Sequence, residues 1–114
     1  FDGSDNFFAG PILPFGEFMG EPLWQGLETL KVANNLLTGI LPKVLPPRIR
    51  ELDCAGNRFE GGIPDEFRNS TSLLFLTLDN NENFGGDISS TLANVGHMRS
   101  LSMANTKLRG RLDD

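Results

Sequence analysis

The chain has 114 residues with 15 acidic and 10 basic side chains, a formal charge of −5, and no Lys/Arg stripe that would neutralise phosphates, which argues against nucleic acid as a partner. No apolar run reaches the roughly 18 residues that a membrane-crossing helix needs. The single cysteine, Cys54, allows no internal disulfide, and the length is that of one domain.

One phrase recurs five times along the chain. The first copy runs Phe1-x-Gly3-x-x-Asn6-x-Phe8-x-Gly10-x-Ile12. A long interval follows, in which Phe15, Phe18, Met19, Leu23 and Trp24 are interrupted by Pro14, Gly16, Gly20 and Pro22. The second copy is Leu30-x-Val32-x-x-Asn35-x-Leu37-x-Gly39-x-Leu41-Pro42, and the third is Leu52-x-Cys54-x-x-Asn57-x-Phe59-x-Gly61-x-Ile63-Pro64. The fourth, Leu76-x-Leu78-x-x-Asn81, resumes one residue late as Phe84-x-Gly86-x-Ile88. The fifth, Leu101-x-Met103-x-x-Thr106-x-Leu108-x-Gly110-x-Leu112, has threonine in place of asparagine. A period of about two dozen residues marks a solenoid array.

Each part of the phrase has a physical task. Apolar residues alternate with polar ones at Leu30/Val32, Leu52/Cys54, Leu76/Leu78 and Leu101/Met103, the period of a half-buried strand. One short strand per repeat, always in the same sense, stacks into a parallel sheet, and Leu27, Ile49, Leu73 and Met98 add another inward row. After each strand the chain turns inside the stack, where backbone N–H and C=O groups still need partners. An asparagine amide offers two donors and an acceptor, so Asn6, Asn35, Asn57 and Asn81 are read as a structural ladder. Thr106 has one hydroxyl donor, which predicts a last coil that is looser or close to a terminus. The recurring glycines suit tight turns or close backbone approach. Pro42 and Pro64 predict an extended or 3₁₀ return rather than a long helix, anchored by Leu45, Phe67 and Leu92, with a longer helical turn over 89–94. Cys54 takes an inward position of the phrase and reads as a buried apolar thiol.

Leu27-x-x-Leu30-x-Val32-x-x-Asn35-x-Leu37-x-Gly39-x-Leu41-Pro42-x-x-Leu45 resembles the plant-specific type of leucine-rich repeat, as does the stretch from Ile49 to Phe67. The resemblance extends from Phe1 to Leu112. Departures are the offset Leu13-Pro14, the insertion at Asn83-Phe84, Ser89 in place of proline, and Thr106. The resemblance implies an α/β solenoid with short parallel strands on a concave face and irregular or 3₁₀ segments on the convex face. It also implies a non-enzymatic role, with no cofactor and a protein or peptide bound on the concave sheet. Members are ectodomains of receptor-like kinases and receptor-like proteins, or secreted inhibitors of pathogen enzymes, which sets an extracellular or cell-surface expectation. The repeats divide as 1–26, 27–48, 49–72, 73–97 and 98–114. Both ends cut through the array without a polar cap, so a segment of a longer protein is expected.

With the leucines inward, the residues between them form columns on the concave face. The central column is Asp2, Lys31, Asp53, Thr77 and Ser102. Thr29, Glu51, Phe75 and Ser100 lie on one side, and Ser4, Ala33, Ala55, Asp79 and Ala104 on the other. Lys31, Glu51, Asp53, Phe75, Thr77 and Asp79 are the candidate contact residues. Phe75 is an aromatic among polar and small side chains, a typical interface anchor, and the acidic balance favours a partner with a basic patch. An acid/base pair of Asp53 and Asp79 is disfavoured, because such a pair needs a pocket that shifts its pKa values and excludes water. No compact oxygen-rich calcium loop is present.

Three other features complete the sequence reading. Phe15, Phe18 and Trp24 either cover the solenoid's own back or form an exposed dock for another subunit, and the latter gives an alternative role as a structural component of an intracellular assembly. Asn69-Ser70-Thr71 is an N-glycosylation acceptor triplet. His97 reads as a solvated connector residue and the scattered arginines as edge charges.

Overall fold

A computed structural model describes residues 2–11, 25–42, 44–64, 66–67, 70–87 and 98–109. In chain order the strands are β1 (Ala9–Pro11), β2 (Thr29–Lys31), β3 (Leu36–Gly39), β4 (Glu51–Asp53), β5 (Arg58–Gly61), β6 (Phe75–Thr77), β7 (Asn83–Asp87), β8 (Ser100–Ser102) and β9 (Lys107–Arg109). They form two parallel ladders, β2-β4-β6-β8 and β1-β3-β5-β7-β9.

The first ladder is the one that the leucine alternation predicts. Leu30, Leu52, Leu76 and Leu101 stand opposite one another in register, and the first three are almost completely buried. The isolated bridge from Asp2 to Lys31 extends the same row into the first coil. Pairing continues past the strand ends: the Val32, Cys54 and Leu78 N–H groups donate to the carbonyls of Asp53, Thr77 and Ser102 at 2.9, 2.9 and 2.7 Å.

A corner follows each strand. Asp5, Asn34, Gly56, Asn80 and Asn105 all have positive φ, between 57° and 67°, in the left-handed region that asparagine, aspartate and glycine tolerate best. This corner brings the next residue's side chain into the core, where the asparagine ladder is built. Asn57 Nδ2 donates to the carbonyls of Val32 at 2.9 Å, Cys54 at 3.1 Å and Ala55 at 3.1 Å, while its Oδ1 accepts from the Leu37 N–H at 3.1 Å. Asn35 and Asn81 repeat the arrangement on Gly3, Val32 and Ala33 and on Cys54, Leu78 and Asp79, and they accept from the Phe8 and Phe59 N–H groups. All three are buried, yet none of the buried side-chain nitrogen or oxygen atoms of the described residues lacks a partner. Asn6 bonds only the Gly3 and Ser4 carbonyls of its own coil.

The fifth coil differs as its threonine implies. Thr106 Oγ1 donates to the Met103 carbonyl at 2.7 Å and accepts from the Leu108 N–H at 3.3 Å, both within its own coil. One coil earlier, where the extra residue sits, the Phe84 N–H turns to the Asn81 carbonyl at 3.0 Å. Leu101, Met103 and Leu108 are correspondingly only partly buried.

The second ladder has no counterpart in the one-strand-per-repeat reading, and the glycines explain it. Its pairing is staggered so that each glycine of the phrase lies beside the apolar anchor of the next coil: Gly10 with Leu37, Gly39 with Phe59, Gly61 with Phe84 and Gly86 with Leu108. These glycines have φ between 77° and 110°, a backbone that side chains rarely adopt. Phe59 and Phe84 are fully buried beneath this ladder, each removal of such a ring from water contributing about 2–3 kcal/mol.

The return path is built from tight turns, as the prolines require. The Ile49, Phe67, Ser70 and Leu73 N–H groups each donate to the carbonyl three residues back, at 3.0–3.2 Å for the first two and the last and 2.9 Å for Ser70. Leu45, Ile49, Phe67 and Leu73 close the core on that side. Leu92, the 89–94 turn, Phe15, Phe18, Trp24, Asn69 and His97 lie outside the described residues.

Candidate binding face

The register of the first ladder assembles the expected columns. Asp2, Lys31, Asp53, Thr77 and Ser102 are consecutive partners in one row, and Thr29, Glu51, Phe75 and Ser100 in the next. Because their neighbours along each strand carry the leucines into the core, these side chains stand on the opposite, outward surface. Lys31, Glu51, Asp53 and Thr77 are half-buried, while Phe75 is 38 % exposed.

The side chains differ in how far they are committed. Lys31 Nζ lies 3.8 Å from Glu51 Oε2, with both side chains more than a third exposed, so the pair orients two chains more than it stabilises the fold. Asp53 Oδ1 accepts from the Ala55 N–H at 3.1 Å, and Asp2 Oδ1 from the Ser4 N–H at 3.0 Å. The Ser4 hydrogen bonds hold the Asp2 carboxyl below the usual carboxylate range, assisted by Lys31. Asp79 is bound into the solenoid: both its oxygens take the Ser102 hydroxyl at 2.8 Å, and Oδ1 also takes the Ala104 N–H at 2.7 Å. It therefore has an architectural task in addition to its place on the face.

Cys54, directly behind this face, is fully buried and unpaired. Burial, reinforced by the negative charge of Asp53, pushes its thiol well above the ordinary range, so it is a neutral core side chain and no nucleophile. Among the described residues no group of three or more His, Cys, Asp or Glu side chains is placed to hold a metal ion, and no helix is long and apolar enough to cross a membrane.

The left-handed corner column went unread in the sequence analysis. Asn34 Nδ2 donates to Asp5 Oδ1 at 2.9 Å, and Asn105 Nδ2 to Asn80 Oδ1 at 2.7 Å, two exposed side-chain pairs on either side of Gly56 in this column. Its signal was present: Asp5, Asn34, Gly56, Asn80 and Asn105 each immediately precede a ladder position.

A family model described as Leucine Rich Repeat matches residues 48–70, one full coil of this geometry. The chain folds as a leucine-rich repeat solenoid. It is 32% identical over 74 residues to Receptor-like protein 18 of Arabidopsis thaliana, an alignment covering 61% of this chain and 9% of that protein. It is 42% identical over 55 residues to Nephrocan of Mus musculus, covering 48% of this chain and 10% of the relative. The leucine-rich repeat chain thus spans about a tenth of the curated relatives it matches. Among solved structures, a plant peptide hormone receptor, RGFR1, in complex with RGF2, superposes with a TM-score of 0.72 at 30% identity, over 90% of this chain and 16% of that one. Its repeats are similar to those of these plant receptor proteins.

Proposed function

We propose that this chain is a non-catalytic recognition module that takes a protein or peptide on its concave sheet, as part of an extracellular or cell-surface protein. The observation that carries the reading is the face itself: an open, in-register sheet whose outward side chains are polar or small apart from the exposed Phe75. Lys31, Glu51, Asp53, Phe75 and Thr77 are its contact residues, with Asp79 shaping one edge. Similarity to a peptide hormone receptor supports a peptide or protein partner. The commitment of Asp79 to Ser102 and Ala104 speaks against an Asp53/Asp79 acid–base pair and so supports a role in recognition.

The test is selection of peptides from an unbiased display library against the full chain, followed by substitution on each surface. Phe75→Asp and Asp53→Lys are expected to weaken the selected peptides at least tenfold. Unchanged affinity in both variants would refute the concave reading. Asp79→Lys is unsuitable as a surface probe, because it also breaks three hydrogen bonds of the fold.

A second reading is favoured by a separate observation. Phe7, Phe8, Leu36, Ile40 and Val44 are exposed, Phe7 to 87 % and Val44 to 70 %, and all belong to the first two coils. Large exposed apolar residues gathered in one region mark an interaction surface. On this reading the chain is a structural subunit docking through the flanks of the 15–24 segment. Val44→Asp then disrupts assembly and leaves peptide capture intact, an outcome separable by light scattering.

A further inference from the structure

Glu51 and Asp53 on β4 stand directly opposite Phe75 and Thr77 on β6. Neighbouring strands lie about 5 Å apart and same-face residues along a strand about 7 Å apart, so the four side chains outline a square that one extended side chain can cover. Its composition is uneven, with two carboxylates along one edge and an aromatic ring and a hydroxyl along the other.

The surrounding charges single out one corner. Lys31 is the partner of Asp53 in the column, but its ammonium is placed beside the diagonal neighbour, Glu51 Oε2. Both oxygens of Asp79 are engaged by the Ser102 hydroxyl, and Oδ1 also by the Ala104 N–H. Asp53 uses Oδ1 for the Ala55 N–H, which leaves Oδ2 for an incoming donor, diagonally across the square from the exposed Phe75.

We infer that the square of Glu51, Asp53, Phe75 and Thr77 receives an arginine side chain of the bound peptide, its guanidinium plane on the Phe75 ring and its N–H groups on the Asp53 carboxylate. The inference rests on the concave-face reading and specifies the chemistry of its partner. An apolar partner residue would cover Phe75 but strip water from Asp53 without replacing its hydrogen bonds. Lysine supplies charge as a compact, strongly hydrated point and cannot stack as a plane. A guanidinium meets both demands, because it stacks on aromatic faces and donates in a fork that carboxylates accept. Thr77 offers a hydroxyl oxygen to a remaining N–H, and Glu51 adds long-range attraction through the part of its charge that Lys31 leaves unneutralised.

The probe is acetyl-Gly-Arg-Gly-amide, titrated into the full chain with amide chemical shifts as readout, beside the matching lysine and citrulline peptides. Citrulline preserves the planar shape and removes the charge. Shifts are expected at residues 51–53 and 75–77, at least threefold weaker binding for lysine, and no saturable response for citrulline. Phe75→Ala and Asp53→Asn each weaken the arginine peptide at least threefold, whereas Lys31→Ala, which removes a competing cation, tightens it about twofold. Equal responses to arginine and citrulline, shifts located elsewhere, or no response to arginine would overturn the inference. The broader reading is scored separately with the display-selected peptides. If they map to the concave face but bind without an arginine, only the arginine inference fails; if they map elsewhere, the concave reading itself fails.

Discussion

Replacing Asn57 with alanine tests the internal ladder, and the structure sets the magnitude. Four hydrogen bonds disappear, but their partners are not left in the same state. The Val32 carbonyl keeps Asn35 Nδ2, the Cys54 carbonyl keeps Asn81 Nδ2 at 3.0 Å, and the Ala55 carbonyl keeps the Asn34 N–H at 2.8 Å. Each of these three losses is worth about 0.5 kcal/mol, at the low end for a bond whose acceptor remains satisfied. The Leu37 N–H loses the Asn57 Oδ1 acceptor inside the core, and stranding a buried donor costs about 1–3 kcal/mol. The sum is about 2.5–4.5 kcal/mol, a large fraction of a small domain's stability. Asn6→Ala is the control: its amide is exposed and serves only its own coil, so the expected loss is below about 1 kcal/mol. Urea unfolding of the full chain by circular dichroism measures both, read as a fall in midpoint at constant slope. A loss for Asn57→Ala no larger than for Asn6→Ala would refute the view that cross-coil amides hold the stack together. Asn57→Asp adds a pH signature. The carboxylate would face three carbonyl oxygens in the core, raising its folded pKa above the unfolded value of about 3.9. Its stability is therefore retained below that value and lost as pH rises through the folded pKa, a trend opposite to that of a salt-bridged aspartate.

Three further outcomes are expected. A Cβ at Gly62 would stand 2.6 Å from the Gly85 backbone oxygen, whereas one at Gly26 meets nothing within 4 Å; Gly62→Ala should cost about 1–3 kcal/mol and Gly26→Ala less than about 1 kcal/mol, measured by thermal or urea unfolding. Cys54 should resist thiol reagents in the native state at neutral pH and react on unfolding; because its folded pKa is raised, its contribution is complete below the unfolded thiol pKa and is lost as pH rises through the folded one, so alkaline titration of stability checks the sign. Thr106→Asn should stabilise the fifth coil by about 1 kcal/mol, by adding amide bonds toward the preceding coil; slower hydrogen exchange at residues 101–108 would show it, and unchanged exchange would contradict it.

Much of this architecture was legible because the phrase encodes it position by position. Leu30, Leu52 and Leu76 alternate with outward residues, and strand period alone assigns them to opposite surfaces. Asn35, Asn57 and Asn81 were legible as a ladder because few side chains satisfy turning backbone from within a core. The second row of strands was not, since Leu37, Gly39 and Leu41 alternate over too few residues to distinguish pairing from a turn. Only the stagger, which sets Gly39 beside Phe59, shows that the glycine is a strand residue with an unusual backbone. Asp79 was read by its charge, but its bonds to Ser102 and Ala104 depend on a coil 23 to 25 residues away, a distance at which a single side chain carries no sequence signal. The corner residues were missed for a different reason: Asn34 and Asn80 each precede another asparagine, and the ladder residue drew the interpretation.

The ladder has a direction. Asn35, Asn57 and Asn81 each send their amide to carbonyls of the coil before them, and each accepts an N–H from that same earlier coil. The side-chain amide that seals a coil's turn from the neighbouring coil therefore lies later in the chain. During synthesis, which proceeds from the N-terminus, each of the first three coils waits with unfilled hydrogen bonds until its successor arrives and latches it. Folding of such a chain advances as a zipper with one sense of travel, and the coil still waiting at the growing end is always the one most open to a chaperone.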